Sequence, residues 1–552
     1  MKVFDKVPIK VPAKNVFNLS HDVKSTYGFG KLYPFLCQPV YPGDTWNCRA
    51  EVFMRTMPLV APVMHNVDMH FYFFFVPNRI IWNENRKQDW KVFITGGEDG
   101  LQNPVLPYWT YSQLATQQTN RYRQGSLLDH LGFPTIEASS PHSSRTHKIS
   151  ALPLRAYACV WNEYFRNQNV QNELEFSYGA GQLSSTDINT LTQLRYKNFE
   201  KDYFTSCLPF AQRGEAVRLP ITFDAEQTTN VSAPVVINTG KSGSGSYEYG
   251  IVANAASANS RTALAIAQSS VSAGASIELH GTATINSSTF TFAGVNAGTI
   301  NDFRYCLRLQ QWLENNARCG SRYIEQLLSH FGVVSSDARL QRPELLGGGK
   351  VPLIFNDVPQ TSFGSGSNNE DVLGDLAGKG TLYGKTGGFK KYFEEHGILL
   401  GICCVLPRTS YQNGIPRVWS AMSRYDFYFP EFAHLGEEAV LNKEVYYDPA
   451  AQTPIGDTSP DAVFGYQGRF TELRYIPSTV HGDLRASLQY WHFGRTFTSQ
   501  PALNDAFVKV STRNNMWALE ENSENGADPF IAQIHLDIKA VRPLPKYAVP
   551  TL

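Results

Sequence analysis

Hydrophobic and polar positions alternate with a period of two along VDMHFYFFFVP, residues 67–77. Successive side chains of an extended backbone point to opposite sides, so Met69, Phe71, Phe73 and Phe75 share one face and His70, Tyr72, Phe74 and Val76 the other. Aromatic and β-branched residues suit a pleated surface, and Pro77, which has no N–H for a ladder, predicts the strand's end. The first face is wholly apolar, as the inside of a sandwich requires. The second is aromatic with polar atoms on His70 and Tyr72, which predicts a surface covered by an insertion or by a neighbouring subunit. His70, Tyr72 and Phe74 are therefore candidate core or interface residues.

Two later stretches read alike. SRYDFYFPEF (423–432) sets Tyr425, Phe427 and Phe429 against Asp426 and Tyr428, and RASLQYWHF (485–493) sets Leu488 and Tyr490 against Gln489 and Trp491. Both predict strands and add Tyr428 and Trp491 to the candidate aromatics. Short strands from both ends of the chain, joined by long irregular connections, predict a mainly β fold: a sandwich with long insertions and a few helices. The helical signal is strongest over 301–332, where Tyr305, Cys306, Leu309, Trp312 and Leu313 form an amphipathic stripe. After Gly320, with Ser321 as a cap, Tyr323, Ile324, Leu327, Leu328 and Phe331 repeat it up to Gly332, which predicts a packed helical pair. LPLRAYACVWNEYFRNQN (152–169) predicts another helix.

Residues 227–299 differ from their surroundings. These 73 residues hold four charges, Lys241, Glu248, Arg261 and Glu278, among Ser, Thr, Ala, Gly and Asn. Alternating runs such as ASIELHGTATI favour an ordered β-rich insertion over a linker, with KSGSGS (241–246) as its flexible tip. The tip makes Lys241, Ser244, Tyr247 and Tyr249 candidate outward-facing residues. A second segment, 361–380, reads as a mobile polar loop.

Composition narrows the function. The 552 residues carry 49 Lys plus Arg against 49 Asp plus Glu, so no net field draws the protein toward a polyanion. Aromatic content is high at 13%, which suits buried cores and interfaces. Eight scattered cysteines form no CxxC pair, and reduced thiols are expected. No run reaches signal-peptide or membrane-spanning length. Gly384-Lys385-Thr386 resembles the end of a phosphate loop, but the required earlier glycine is Lys379. Glu431 and His434 have the ExxH spacing of one half of a di-iron site, but no second such motif exists, and His481 with Asp483 is explained by a turn. No complete catalytic or metal motif is present, and no cofactor is expected. Lys2, Lys6, Lys10 and Lys14 recur on a proline-broken N-terminal arm, and Lys539, Arg542 and Lys546 lie near the C-terminus. These seven are candidate phosphate contacts, with solvated tails as the alternative.

Five ordered runs carry a family resemblance: PVMHNVDMHFYFFFVPNRIIW, LPLRAYACVWNEYFRNQN, DYFTSCLPFAQRGEAVRLPI, LENNARCGSRYIEQLLSHFGVVSSDARLQRPELLGG and VFGYQGRFTELRYIPSTVHGDLRASLQYWHF. From about residue 26 onward the chain resembles the major capsid protein of small icosahedral single-stranded DNA bacteriophages, the gokushovirus branch of the microviruses. The resemblance implies an eight-stranded viral jelly roll that self-assembles, in roughly sixty copies, into a T=1 shell around circular single-stranded DNA. It implies an arm over 1–25, a core split between 26–226 and 300–552, and 227–299 as a threefold protrusion meeting a receptor on the bacterial surface. Further implied partners are a small basic DNA-binding protein and minor pilot or spike-type virion proteins, with assembly in the host cytoplasm. A carbohydrate-binding or cell-surface sandwich is the alternative class, and an enzyme a distant third.

Overall fold

The computed structural model describes residues 13–84, 89–114, 121–136, 145–217, 299–320, 322–361, 374–449, 456–510 and 528–547, together with the backbone of strands 221–237, 250–253, 264–267 and 281–297. The chain forms two compact units. One comprises 1–214 with 313–552, and the other 215–312.

The larger unit is built on eight long strands: β1 (His21–Tyr27), β2 (Tyr33–Val40), β3 (Thr45–Thr56), β4 (Val67–Pro77), β5 (Glu344–Pro359), β6 (Leu376–Lys385), β7 (Gly397–Pro407) and β8 (Phe530–Arg542). All pair antiparallel, in the orders β1-β8-β3-β6 and β5-β4-β7-β2. Strand β5 joins the two sets. Its first part, Glu344–Leu353, pairs with β4, and its end, Ile354–Pro359, pairs with Leu376–Thr381 of β6. Short strands Asn15–Asn18 and Phe389–Tyr392 extend the edges, giving one curled ten-stranded sheet. Along the chain each strand passes to the opposite set except from β4 to β5, the Greek-key connectivity of a jelly roll. The expected fold class is what the structure has.

Alternation fixes the inner layer. Trp46, Cys48, Ala50, Val52 and Met54 of β3, and Phe530, Ala532, Ile534, Leu536 and Ile538 of β8, are fully buried while their neighbours point outward. From the facing set come Phe71 and Phe73, whose rings stand edge-on to Phe35 at 5.7 and 5.6 Å; Phe73 also meets Phe389 at 5.3 Å. The register places Gly401 beside Phe73, where an added Cβ would sit 2.8 Å from the Phe35 ring. A glycine is needed there because the aromatic layer fills the space.

The second face of β4 is sealed by the chain itself. Helix α1 (Leu152–Val160) continues into a π-turn, Trp161–Phe165. The Phe74 ring lies 4.9 Å from Tyr164 and 5.9 Å from Phe165, and Tyr72 lies 5.2 Å from Phe165. Buried Arg155 pins this insertion by donating to the carbonyls of Ile81 (3.2 Å) and Gly179 (2.8 Å), while Tyr157 donates to Leu32 O at 2.9 Å. His70 and Phe74 are therefore buried within the single chain, and Tyr72 is partly buried against the same core.

Four expectations are corrected. Residues 423–432 form a turn and a short 3-10 helix, Pro430–Phe432, because the Asp426 carboxylate accepts the N–H groups of Met422 and Ser423 and closes the chain locally. Residues 485–493 likewise form 3-10 turns around Gly482–Arg485 and Gln489–Trp491, closed by Gln489 donating to Arg485 O. Part of the expected loop 361–380 is strand β6. The helices α2 (Ile300–Cys319) and α3 (Tyr323–Phe331) exist, with Gly320 between them and left-handed Gly332 as the stop. Their stripe, however, is only partly covered: Tyr305, Trp312, Tyr323, Leu328 and Phe331 are half or more exposed, while Cys306, Leu309, Leu313, Ile324 and Leu327 are of intermediate burial. Periodicity reports an apolar face without saying what covers it. Ser321 lies outside the described residues.

In the smaller unit, Ile221–Ile237 pairs antiparallel with Gly281–Ala297, and Gly250–Ala253 with Leu264–Ala267. Lys241, Ser244, Tyr247 and Tyr249 fall outside the described residues, as do Lys2, Lys6 and Lys10.

Candidate nucleic-acid interface

The two strand sets differ in what covers them. Every residue of β7 is buried, as are all of β4 except Tyr72. The outward side chains of β1, β3, β6 and β8 are mostly exposed, and the register shows which of them share this face. Ile531, Gln533, His535, Asp537 and Lys539 of β8 stand opposite Arg55, Phe53, Glu51, Arg49 and Asn47 of β3. Arg55, Phe53 and Glu51 stand opposite Thr381, Tyr383 and Lys385 of β6, and Asp22 and Lys24 of β1 flank His535 and Gln533.

The face carries an excess of positive charge. Lys14, Lys24, Arg49, Arg55, Lys379, Lys385, Lys390 and Lys539 are exposed cations, against the carboxylates Asp22, Glu51 and Asp537. Glu51 pairs with Lys385 at 2.7 Å and raises its ammonium pKa. Asp22 pairs with His535 at 2.6 Å, which holds that carboxyl below its ordinary range. Both pairs are solvent-exposed and contribute little to stability. Seven of the eight cations remain outside these pairs.

Aromatic rings are interleaved with them. Tyr383, 70% exposed, lies next to Phe53 across the β3–β6 ladder, and Tyr392 lies one strand-end away, opposite Thr45. Arg55 sits over Phe53 at 5.0 Å and Lys14 over Tyr392 at 5.0 Å. Exposed rings framed by cations suit single-stranded nucleic acid, since unpaired bases stack on the rings while phosphates meet the ammonium and guanidinium groups.

The candidates from the sequence separate on this geometry. Lys539 and Lys14 belong to the face. Arg542 is engaged elsewhere: it pairs with buried Asp44 at 3.1 Å, donates to Pro39 O at 3.3 Å and stacks over Trp46 at 5.0 Å. Lys546 is exposed, 5.7 Å from the Tyr547 ring. Tyr428 is exposed with its ring 5.2 Å from Phe470, and Trp491 is half-buried with its carbonyl accepting from Met64 N. Arg49, Arg55, Phe53, Tyr383 and Tyr392 were not singled out by the sequence.

Gly384 and Lys385 end strand β6, with no helix behind them. Among the described residues no group of three or more His, Cys, Asp or Glu could hold a metal, and no helix is long and apolar enough to cross a membrane.

A jelly roll whose strands β4 and β7 are sealed on both faces within the chain, and whose β1-β8-β3-β6 set presents a basic, aromatic face, is the architecture of a viral shell subunit. The chain matches the family model described as capsid protein (F protein) over residues 6–552. It is 35% identical over 565 residues to the capsid protein VP1 of Bdellovibrio phage phiMH2K, covering 99% of this chain and 97% of that one. Identity to the capsid protein VP1 of Chlamydia phage 1 is 33% over 602 residues, covering 100% and 97%. To that of Spiroplasma virus 4 it is 28% over 572 residues, covering 98% and 95%. The chain belongs to this capsid-protein family: it is a structural capsid protein of the gokushovirus-type microviruses, and its place is the virion.

Proposed function

We propose that roughly sixty copies of this chain close into a T=1 shell around circular single-stranded DNA, with the β1-β8-β3-β6 face turned toward the DNA. The observation supporting this is the asymmetry of cover: the central strands β4 and β7 of one set are buried on both faces, while cations and rings gather on the outer face of the other set. A chain with no net charge does not neutralise a genome by itself, which supports a small basic DNA-binding protein, or a polyamine in its place, as the source of the remaining positive charge. Minor pilot or spike-type proteins and assembly in the host cytoplasm complete the proposal.

Ultraviolet cross-linking of intact particles, followed by peptide mapping, tests the orientation. Nucleotide adducts are expected on peptides containing Phe53, Tyr383 or Tyr392. Adducts confined to other surfaces would refute it.

We further propose that 227–299, within the compact unit 215–312, is displayed for attachment to the bacterial surface. Removing 227–299 is expected to leave particles that form but no longer adsorb to host cells. Particles that adsorb normally would overturn the attachment role, and insoluble chain would show that the block is not separable.

A further inference from the structure

The segment 417–435 and the neighbouring residues 469–473 present an apolar surface that neither the sandwich core nor the DNA-facing sheet uses. Trp419 is 75% and Met422 86% exposed, and Tyr425, Phe427, Tyr428 and Leu435 are each more than half exposed. Taken together these six side chains offer on the order of 800 Å² of surface, about what one partner contributes to a stable protein–protein interface.

The surface is held rigid before anything binds. Asp426 accepts from Met422 N (3.0 Å) and Ser423 N (2.8 Å). Tyr428 stands edge-on to Phe470 at 5.2 Å, and Tyr425 and Phe429 stand edge-on to Phe432 at 6.2 and 6.1 Å. The Arg469 guanidinium lies over Phe470 (4.9 Å) and donates to Tyr425 O at 3.3 Å. Phe470 itself is buried in the left-handed region, φ 60°, a conformation that a bulky residue keeps only where its surroundings impose it. At the segment's start, Arg417 is fixed by Glu444 (2.9 Å), by Ala439 O (2.7 Å) and by Glu438. Rings and a methionine presented on a fixed backbone lose little freedom on binding, which is the property of an interface anchor.

We infer that this surface is a contact between copies of the chain. The inference rests on the shell reading: area of this size, rigid and apolar, is exposed on a subunit whose family builds shells from identical copies. A second copy is the occupant that every particle supplies, and an uncovered patch of this extent would drive non-specific association. The same pattern explains why 423–432 imitates a strand in the sequence.

The test uses a Met422→Cys chain and thiol labelling read by peptide mass spectrometry. Residue 422 should label readily in free subunits and at least tenfold more slowly in assembled shells of the chain alone. A second variant, Trp419→Glu with Met422→Glu, should keep the wild-type melting profile yet sediment as single subunits. Equal labelling in both states, or normal assembly of the double variant, would overturn the inference. Protection that appears only after another virion protein is added would assign the surface to that protein and overturn it equally. If the unaltered chain yields no particles, the shell reading fails first and this inference with it.

Discussion

Phe74→Ala asks what covers the outer face of β4. The ring is buried in the single chain against Tyr164 and Phe165, so its removal leaves a void inside one molecule. Burying a phenylalanine contributes roughly 1.5–3 kcal/mol, and the void left by truncation brings the total for Phe→Ala to about 3–5 kcal/mol. Phe73→Ala, on the inner face between Phe35 and Phe389, should lose a similar amount. If a neighbouring subunit supplied the cover, Phe74 would be a surface residue of the free chain, and its loss would be within about 0.5 kcal/mol. Urea unfolding of subunits kept below the assembly concentration, followed by tryptophan fluorescence, separates the two cases. Comparable losses for both variants are expected; a near-neutral Phe74→Ala beside a destabilised Phe73→Ala would refute the self-sealed face.

Acid should weaken the sandwich through its buried histidines. His70 lies between Glu200 (3.7 Å) and Tyr72, and burial together with the nearby Lys197 and Lys350 pulls it down to about 3; burial pulls His130, packed on Tyr33, down to about 4. The unfolded chain takes these protons below about pH 6.5 while the folded chain refuses them. Stability is therefore full above that pH and falls by up to about 1.4 kcal/mol per pH unit for each histidine as the medium acidifies. His70→Gln should flatten this slope in urea titrations, and an unchanged slope would contradict the assignment. Gly401→Val should destabilise by roughly 1–3 kcal/mol or more, because its Cβ would meet the Phe35 ring; a neutral melt would contradict the packing. For single-stranded DNA, Arg49→Gln with Lys539→Gln should reduce the salt slope by about 1.4, whereas Tyr383→Ala should weaken binding by about 1–3 kcal/mol and leave that slope unchanged. The reverse pattern in fluorescence-anisotropy titrations would count against stacking.

Strand 67–77 was legible because its alternation is short-range and Pro77 marks its end. The same signal misled at 423–432 and 485–493, since rings displayed on turns repeat the aromatic spacing of a strand and only hydrogen bonding distinguishes them. Aromatic content also drew weight away from FIAQIHLDIKAVR, residues 530–542, whose alternation is strict and which forms the central strand β8. The surface proposed to face DNA lay further out of reach. Its residues come from 14–24, 47–55, 379–392 and 539, and only cross-strand register brings them onto one face. Zero net charge conceals such a patch, because the balancing carboxylates lie elsewhere. The cover over Phe74 was ambiguous for a similar reason: a period of two shows that both faces are apolar and leaves open whose atoms lie against them.

The most direct test of the account is electron cryo-microscopy of intact particles at side-chain resolution. A closed shell is expected in which the β1-β8-β3-β6 face, with Tyr383 and Lys539, lies against nucleic-acid density and the insertion-sealed sheet lies away from it. Shells with that face turned to the outside, or with DNA density against the sealed sheet, would contradict it.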